Sequence, residues 1–513
     1  MNYDDLPHYL KSCILYFGIY LEDYSIRSSR LIRQWIAEGF VKHEVGKSLE
    51  EVGEEYLTEL IHRSLVHVSC VHYDGKATSC QIHDLLREMI MRKMNDLSFC
   101  HVMDEDDHEQ ISDVMIRTLA IKTSSKNVLR SIENFPIRSL YIFDALIEFS
   151  DYFGWRFFAK SKLLKVLDLE GAWLDYIPDD LGNMFHLKYL SLRYTNVKNL
   201  PKSIGKLHNL ETLDLKGTLI HDLPNEINKL TKLRHLLVYN RRTYSSITGE
   251  SGARMMQGVG GMTVLQKLYH VEVDHGGLEL IAELKKLIQL RKLGLKNVKR
   301  EYGNALCESI EEMKCLESLH ISAINENDLE FISSLPQLRQ LHLFGRLEKL
   351  PNWVPRLEQL VRPSIRFSKL KDDPLKLLKD LPNLLRLAIV CDAYDGEMLH
   401  FQVGFKKLNK LYLVQLNNLN SILIDNGALL ALKLIEMVSI PNLKEIPSDF
   451  HILKSLETLN LMNMSREFNQ SIDPNGGPKI WVIEHVQMVT IVEKVGPNSI
   501  DFNYHTIRRP RGT

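Results

Sequence analysis

The sequence predicts an α/β solenoid lined by a parallel sheet, set behind a small helical module that closes in a β-hairpin. Three observations predict it. Four blocks open alike at intervals of 23 residues: Leu164-x-x-Leu167-x-Leu169, Leu187-x-x-Leu190-x-Leu192, Leu210-x-x-Leu213-x-Leu215 and Leu233-x-x-Leu236-x-Val238. The first three then reach an apolar-Pro pair, Ile177-Pro178, Leu200-Pro201 and Leu223-Pro224. The first hundred residues lack this period and show helical stripes and turn signals instead. A fixed period of this size marks a leucine-rich repeat array, whose units bury their apolar faces only against one another.

Leu6 to Phe17 reads as a short helix. A second helix runs from about Ser28 to Glu38, with Leu31, Trp35 and Ile36 on one face and Gly39 just past its end. A third begins at Ser48, whose partner Glu51 completes a capping box, and carries Leu49, Val52, Tyr56 and Leu60 on one stripe. Val66 to Gln81 reads as a hairpin turning at Asp74-Gly75. Asp84 is placed to cap a last helix through Leu85, Leu86, Met89 and Ile90. Helices followed by a hairpin suggest a winged-helix module over residues 1–95, with a linker over 96–112.

The repeat domain is expected over residues 113–465. Looser starts fall at Ile116 and Ile137, and later ones at Leu268, Leu290, Leu316, Leu338, Leu360, Leu384, Leu408, Leu432 and Leu456, giving about fifteen units. In Leu210-Glu-Thr-Leu213-Asp-Leu215 the leucines point into a continuous apolar spine, while Glu211, Thr212 and Asp214 project from the concave face of the sheet. Candidate partner-binding residues on that face are Lys188, Tyr189, Arg234, His235, Arg291, Lys292, Glu317, His320, Arg339, His342, Lys410 and Tyr412. Mixed charge with aromatic side chains suits a protein-contact surface.

Two departures stand out. The interval from Leu233 to Leu268 is 35 residues, so the excess should emerge as a loop. Pro363 takes the place of a spine leucine and should weaken its strand. After Met464 the repeat is expected to stop. Residues 466–513 then form a cap, in which Lys479 to Val492 supplies one or two strands over the end of the spine. The tail Arg508-Arg509-Pro510-Arg511 reads as a disordered, solubilising terminus.

Composition narrows the function classes. With 64 basic and 65 acidic residues the net charge is -1, which argues against a polyanion-binding protein. Residues 1–95 hold 11 Lys and Arg against 14 Asp and Glu, the wrong sign for a DNA-binding winged helix, although Arg30 and Arg33 lie on its recognition-helix candidate. Seven scattered cysteines show no disulfide framework. Met1 to Pro7 has no secretory signature, and the apolar run Cys13 to Tyr20 is too short to cross a bilayer. Beside Cys80-x-x-His83, the pair Cys70-x-His72 lacks the usual zinc-ligand spacing, and the hairpin has enough apolar residues to fold unaided, so no metal is expected. No set of residues suggests catalysis.

Leu6 to Tyr24 and Leu31 to Phe40 resemble the winged-helix part of plant intracellular nucleotide-binding leucine-rich-repeat immune receptors of the coiled-coil class. The family's Met-His-Asp motif has its counterpart in Ile82-His83-Asp84. The resemblance implies a defence switch that exchanges ADP for ATP and ends in hypersensitive cell death. Its repeats hold the switch off and recognise a pathogen effector or a guarded host protein. It also implies that the winged helix works with a nucleotide-binding domain in cis or in trans, and that His83 contacts the ADP β-phosphate with Asp84 supporting the same junction. Read without the resemblance, Asp84 is a helix N-cap and His83 the residue before it. The implied location is cytoplasmic or peripheral at the plasma membrane.

The chain departs from that family's pattern in lacking a coiled coil and a P-loop. Gly46-Lys47-Ser48 is no substitute, because Val41 stands where the loop's first glycine belongs and no apolar strand leads into it. Gly258-x-Gly260-Gly261 is too short for a dinucleotide fingerprint. No cofactor and no enzymatic activity are therefore expected of this chain, which reads as a truncated product or a fragment of a longer receptor. The alternative reading is an intracellular repeat adaptor or scaffold, such as a ubiquitin-ligase substrate adaptor. An extracellular repeat receptor would need a signal sequence, paired cysteine caps and a membrane span.

Overall fold

The computed structural model describes residues 3–71, 76–103, 117–122, 136–143, 160–240, 252–255, 258–273, 277–323, 337–347, 349–494 and 502–508. The chain divides into two compact units, residues 1–244 with 250–269, and residues 245–249 with 270–513.

The first unit opens with α1 (His8–Leu15), extended by a 3-10 turn over Tyr16–Ile19, then β1 (Ile26–Arg27), α2 (Ser28–Glu38) and α3 (Leu49–His62). β2 (His67–Val71), β3 (Ala77–Gln81) and α4 (Asp84–Asp96) complete the module, with β3 between β1 and β2 in an antiparallel sheet. This is the expected winged helix; the turn assigned to Asp74-Gly75 lies outside the described residues. α2 stops where Gly39 adopts φ +88°, a left-handed conformation that costs glycine little. α3 starts on the expected capping box: Ser48 Oγ accepts from the Glu51 amide at 3.3 Å, and the Glu51 carboxylate accepts from the Ser48 amide at 2.8 Å. Ser48→Ala should therefore cost about 1 kcal/mol in denaturant unfolding, and a loss below about 0.3 kcal/mol would show the box to be idle. The last helix corrects one assignment. His83 is its N-cap, without a side-chain bond, and Asp84 is the first helical residue, where its charge favours the helix dipole.

The repeat strands of this unit are β4 (His101–Met103), β5 (Thr118–Ile121), β6 (Ser139–Ile142), β7 (Val166–Asp168), β8 (Tyr189–Ser191), β9 (Thr212–Thr218) and β10 (His235–Asn240). β11 (Ala253–Arg254) and β12 (Lys267–Glu272) follow. The pairing is parallel, with Leu119, Leu140, Leu167, Leu190, Leu213, Leu236 and Leu268 in one register row. These leucines are at most 1% exposed, as the spine requires. The sheet begins earlier than expected, since β4 lies in the segment read as a linker and pairs with β5. Each apolar-Pro pair starts a 3-10 turn, over Asp179–Asn183, Lys202–Lys206 and Asn225–Lys229, because proline fixes φ and has no amide to leave unpaired. These turns stack so closely that a Cβ on Gly205 would stand 2.7 Å from the Glu226 carbonyl oxygen. Most of the extra residues between Leu233 and Leu268 lie outside the described ones.

The second unit holds a parallel ladder of β13 (Lys292–Val298), β14 (Ser318–Ala323), β15 (Gln340–Phe344), β16 (Arg362–Arg366) and β17 (Arg386–Val390). β18 (Met398–Phe401) and β20 (Ser421–Ile424) pair with each other in a separate parallel sheet, which sequence reading missed. The main ladder continues through β19 (Lys410–Val414), β21 (Leu434–Val438), β22 (Thr458–Met462) and β23 (Met488–Lys494). Pro363 sits in the spine row beside Leu341, and its strand persists. Toward β17 only Ser364 to Arg366 are in register, whereas β17 and β19 match over five positions. The ladder does not stop at Met464. A helix over Arg466–Ser471, capped by Ser465, takes up part of the turn-rich segment, and β23 then adds a further parallel strand. β24 (Phe502–Arg508) closes that edge antiparallel; Arg509 onward lies outside the described residues.

Candidate functional site

α2 would be an ordinary amphipathic helix in isolation, yet nine of its 11 residues are buried. Leu31, Trp35 and Ile36 face the winged-helix core, where Trp35 meets Phe17 at 6.2 Å between ring centroids. Arg30, Arg33 and Gln34, at i, i+3 and i+4, form the opposite stripe. That stripe lies on the face of β7–β9 opposite the leucine spine. Asp168, 1% exposed, accepts from Arg30 Nε at 3.1 Å, from Arg30 Nη2 at 2.6 Å and from Gln34 Nε2 at 2.7 Å. Arg30 also pairs with Glu170, which Arg193 approaches at 3.2 Å from its other side. Arg33 stands 4.0 Å from Asp214.

Charges buried this deeply persist because they are paired and hydrogen-bonded. Burial opposes the charge on Arg30, but Asp168, Tyr20 and Glu170 outweigh it and hold the pKa above the usual guanidinium value. Burial lowers the pKa of Arg33, whose nearest carboxylate is farther away. The junction extends on both sides. Tyr16 and Tyr141 share a hydrogen bond, and Tyr141 donates to Glu38 at 3.1 Å. Burial raises the Glu38 pKa against the pull of the Tyr141 hydrogen bond. At the other end Glu50 of α3 pairs with Arg234. Burial, then Arg33, Lys267 and Arg234, push the His235 pKa far down. The imidazole is therefore neutral, and its 3.3 Å approach to Glu50 is not an ion pair.

This geometry revises part of the sequence reading. Tyr189 and His235, assigned to a partner surface, are at most 1% exposed and lie under the chain's own winged helix, and Arg234 is engaged there too. Lys188 pairs with Glu211 at 2.9 Å. Arg30 and Arg33, the residues a DNA-binding reading would need, face carboxylates instead. In the second unit Arg291 pairs with Glu317 at 3.0 Å, Arg339 is exposed, and Lys292, His320, His342, Lys410 and Tyr412 are half-buried along the outer sheet face.

His83 and Asp84 are exposed at the start of α4, beside Leu85, which is 79% exposed. Ile82 lines a shallow cleft with Tyr20, Leu21 and Arg87, and Arg87 donates to the Tyr20 carbonyl at 2.9 Å. Among the described residues no group of three or more His, Cys, Asp or Glu could hold a metal. No described helix is long and apolar enough to cross a membrane.

Sequence reading missed Asp168, Glu170, Arg193 and Glu50. The available signal was the pairing of a helical Arg-x-x-Arg-Gln stripe with aspartates at equivalent positions of two repeats, Asp168 and Asp214.

Comparison with known proteins agrees with this architecture. Residues 136–470 match the leucine-rich repeat region model, and residues 19–90 match the disease resistance protein winged helix domain. Disease resistance protein RPM1 of Arabidopsis thaliana is 32% identical over 95% of this chain and 53% of its own length. Disease resistance protein RPP8 of the same plant is 26% identical over 96% of this chain and 54% of its own length. Disease resistance protein Pik-2 of Oryza sativa subsp. japonica is 30% identical over 85% of this chain and 48% of its own length. The chain thus spans about half the length of the curated relatives it matches. The modules it shares with them, repeats and winged helix, are non-catalytic parts of resistance proteins. With its repeat model covering residues 136–470 behind a disease-resistance winged helix, the chain belongs to the leucine-rich repeat family of plant disease resistance proteins.

Proposed function

We propose that this chain carries the sensor and part of the switch of a plant immune receptor. The repeats recognise a pathogen effector or a guarded host protein, and in its absence they hold the switch off. The winged helix couples them to a nucleotide-binding domain, in cis or in trans. The observation that carries this reading is the buried stripe Arg30, Arg33 and Gln34 on Asp168 and Asp214. A displacement of the repeats by a partner must break or drag those pairs, and so reaches α2 and the module that holds Ile82-His83-Asp84.

The exposed first turn of α4 and the imidazole of His83 suit a phosphate group supplied with the nucleotide. ADP would supply a diphosphate whose contact with His83 favours the resting state over the active one. Asp84→Val tests this. The variant should change stability by less than about 1 kcal/mol, because Asp84 is exposed in a first helical turn. Co-expressed in leaf tissue with the N-terminal half of RPM1, it should trigger cell death without a pathogen, while the parent chain stays silent. A silent variant at equal protein level would overturn the switch assignment.

A further inference from the structure

The outer sheet face of the second unit is built in three rows that run across the strands. Register places Arg362, Arg386 and Lys410 in or beside one row, on β16, β17 and β19. His342 and Tyr412 belong to the next row, and Arg366, Val390, Val414 and Val438 to a third. Val390 is buried against Phe367 and Tyr412, while half-buried Val414 and Val438 form an apolar line that continues to Met462, 39% exposed. Such a line on the outer face is not part of the spine, whose leucines point the other way.

Among the described residues none of Arg366, Arg386 and Lys410 takes part in an ion pair. Arg386 lies over the Tyr412 ring at 4.2 Å, and its buried Nε has no hydrogen-bond partner. His342 feels the accumulated charge: burial, then Arg362, Arg366, Arg386 and Lys292, push its pKa down to about 3. Glu436 is registered with Tyr412 on the next strand, away from Arg386. A buried guanidinium donor without an acceptor is costly, and an incoming carboxylate would satisfy it.

We infer that this face docks an acidic, amphipathic helix of a partner protein, with carboxylates along Arg386 and Lys410 and an apolar edge along Val414, Val438 and Met462. The inference rests on the receptor reading above and supplies the chemistry of the partner. The dimensions agree. Strands repeat at about 4.8 Å and helical turns at about 5.4 Å, so acidic residues one turn apart meet cations one strand apart. The outer two rows are four residues apart, roughly 13 Å, against a helix diameter of about 10–12 Å. The first unit already seats a helix in this manner with the charges reversed, α2 placing Arg30 and Arg33 on Asp168 and Asp214. The apolar line favours a protein helix over a nucleic acid, which would leave it uncovered.

The test is fluorescence anisotropy on the full chain with a labelled helical peptide of about 18 residues. The probe carries Glu along one edge and Leu along the other; a second peptide has Lys in place of Glu, and a third probe is single-stranded DNA. The Glu peptide should bind, and binding should weaken with added salt. Arg386→Glu should weaken it by about tenfold, and Arg366→Glu, at an exposed position without an ion pair, should weaken it without lowering the melting temperature. The Lys peptide should not bind. Equal binding of both peptides, no binding of the Glu peptide, or tight binding of the DNA alone would each overturn the inference. None of these outcomes touches the Asp84→Val result, so the receptor reading stands or falls separately.

Discussion

Asp168→Ala is expected to destabilise the first unit by about 3–5 kcal/mol, the usual effect of removing one partner from a buried ion pair. Asp168 accepts three hydrogen bonds from α2, and its loss strands a guanidinium that is 7% exposed. Glu170 remains near Arg30 but serves Arg193 as well. Urea unfolding followed by far-UV circular dichroism should show the shift, together with faster proteolysis within the winged helix. Asp214→Ala should cost less, because Arg33 stands 4.0 Å away and already forms the weaker pair. Equal effects at Asp168 and Asp214 would mean that general burial, rather than this hydrogen-bonded cluster, seats the helix.

Trp35→Ala should cost about 3–5 kcal/mol, through lost burial and the cavity left behind. Trp35 is fully buried on the apolar side of α2, packed edge-on against Phe17. Its indole Nε1 has no hydrogen-bond partner, so Trp35→Phe gives up area but no bond and should lose markedly less than Trp35→Ala. The ordering of these two variants in urea is the check. If Trp35→Phe proved as damaging as Trp35→Ala, shape rather than area would govern the site. Together the Asp168 and Trp35 changes attack α2 from opposite sides, and the helix is held only because both sides are filled.

Much of this fold is written locally. The spine row from Leu119 to Leu268 follows from strand alternation, which needs only the spacing of leucines within each block. The Ser48–Glu51 box and the Gly39 stop are likewise decided within a turn of chain. What stayed hidden depends on distant partners. Arg30 and Asp168 are 138 residues apart, and each alone looks like a solvated polar residue on a helix or sheet face. The same holds for Tyr189 and His235: periodicity shows which side of the sheet they occupy, not what covers it. β23 falls within the segment Lys479 to Val492 expected to cover the end of the spine; its parallel pairing with β22 stays hidden because a helix and a 3-10 turn take it out of the repeat register. At Ile82-His83-Asp84 a resemblance marks the residues, while local spacing does not separate Asp84, the first helical residue, from the cap that His83 provides.

The winged helix is seated on the repeats through the buried cluster of Arg30, Gln34 and Asp168. A double-mutant cycle on Arg30→Met and Asp168→Leu measures that coupling. Each single change should cost several kcal/mol, about 3–5 by the general behaviour of broken buried pairs, while the double variant should recover most of that loss. The coupling energy should then exceed about 2 kcal/mol. Additive losses, with a coupling near zero, would mean that this pair does not seat the helix.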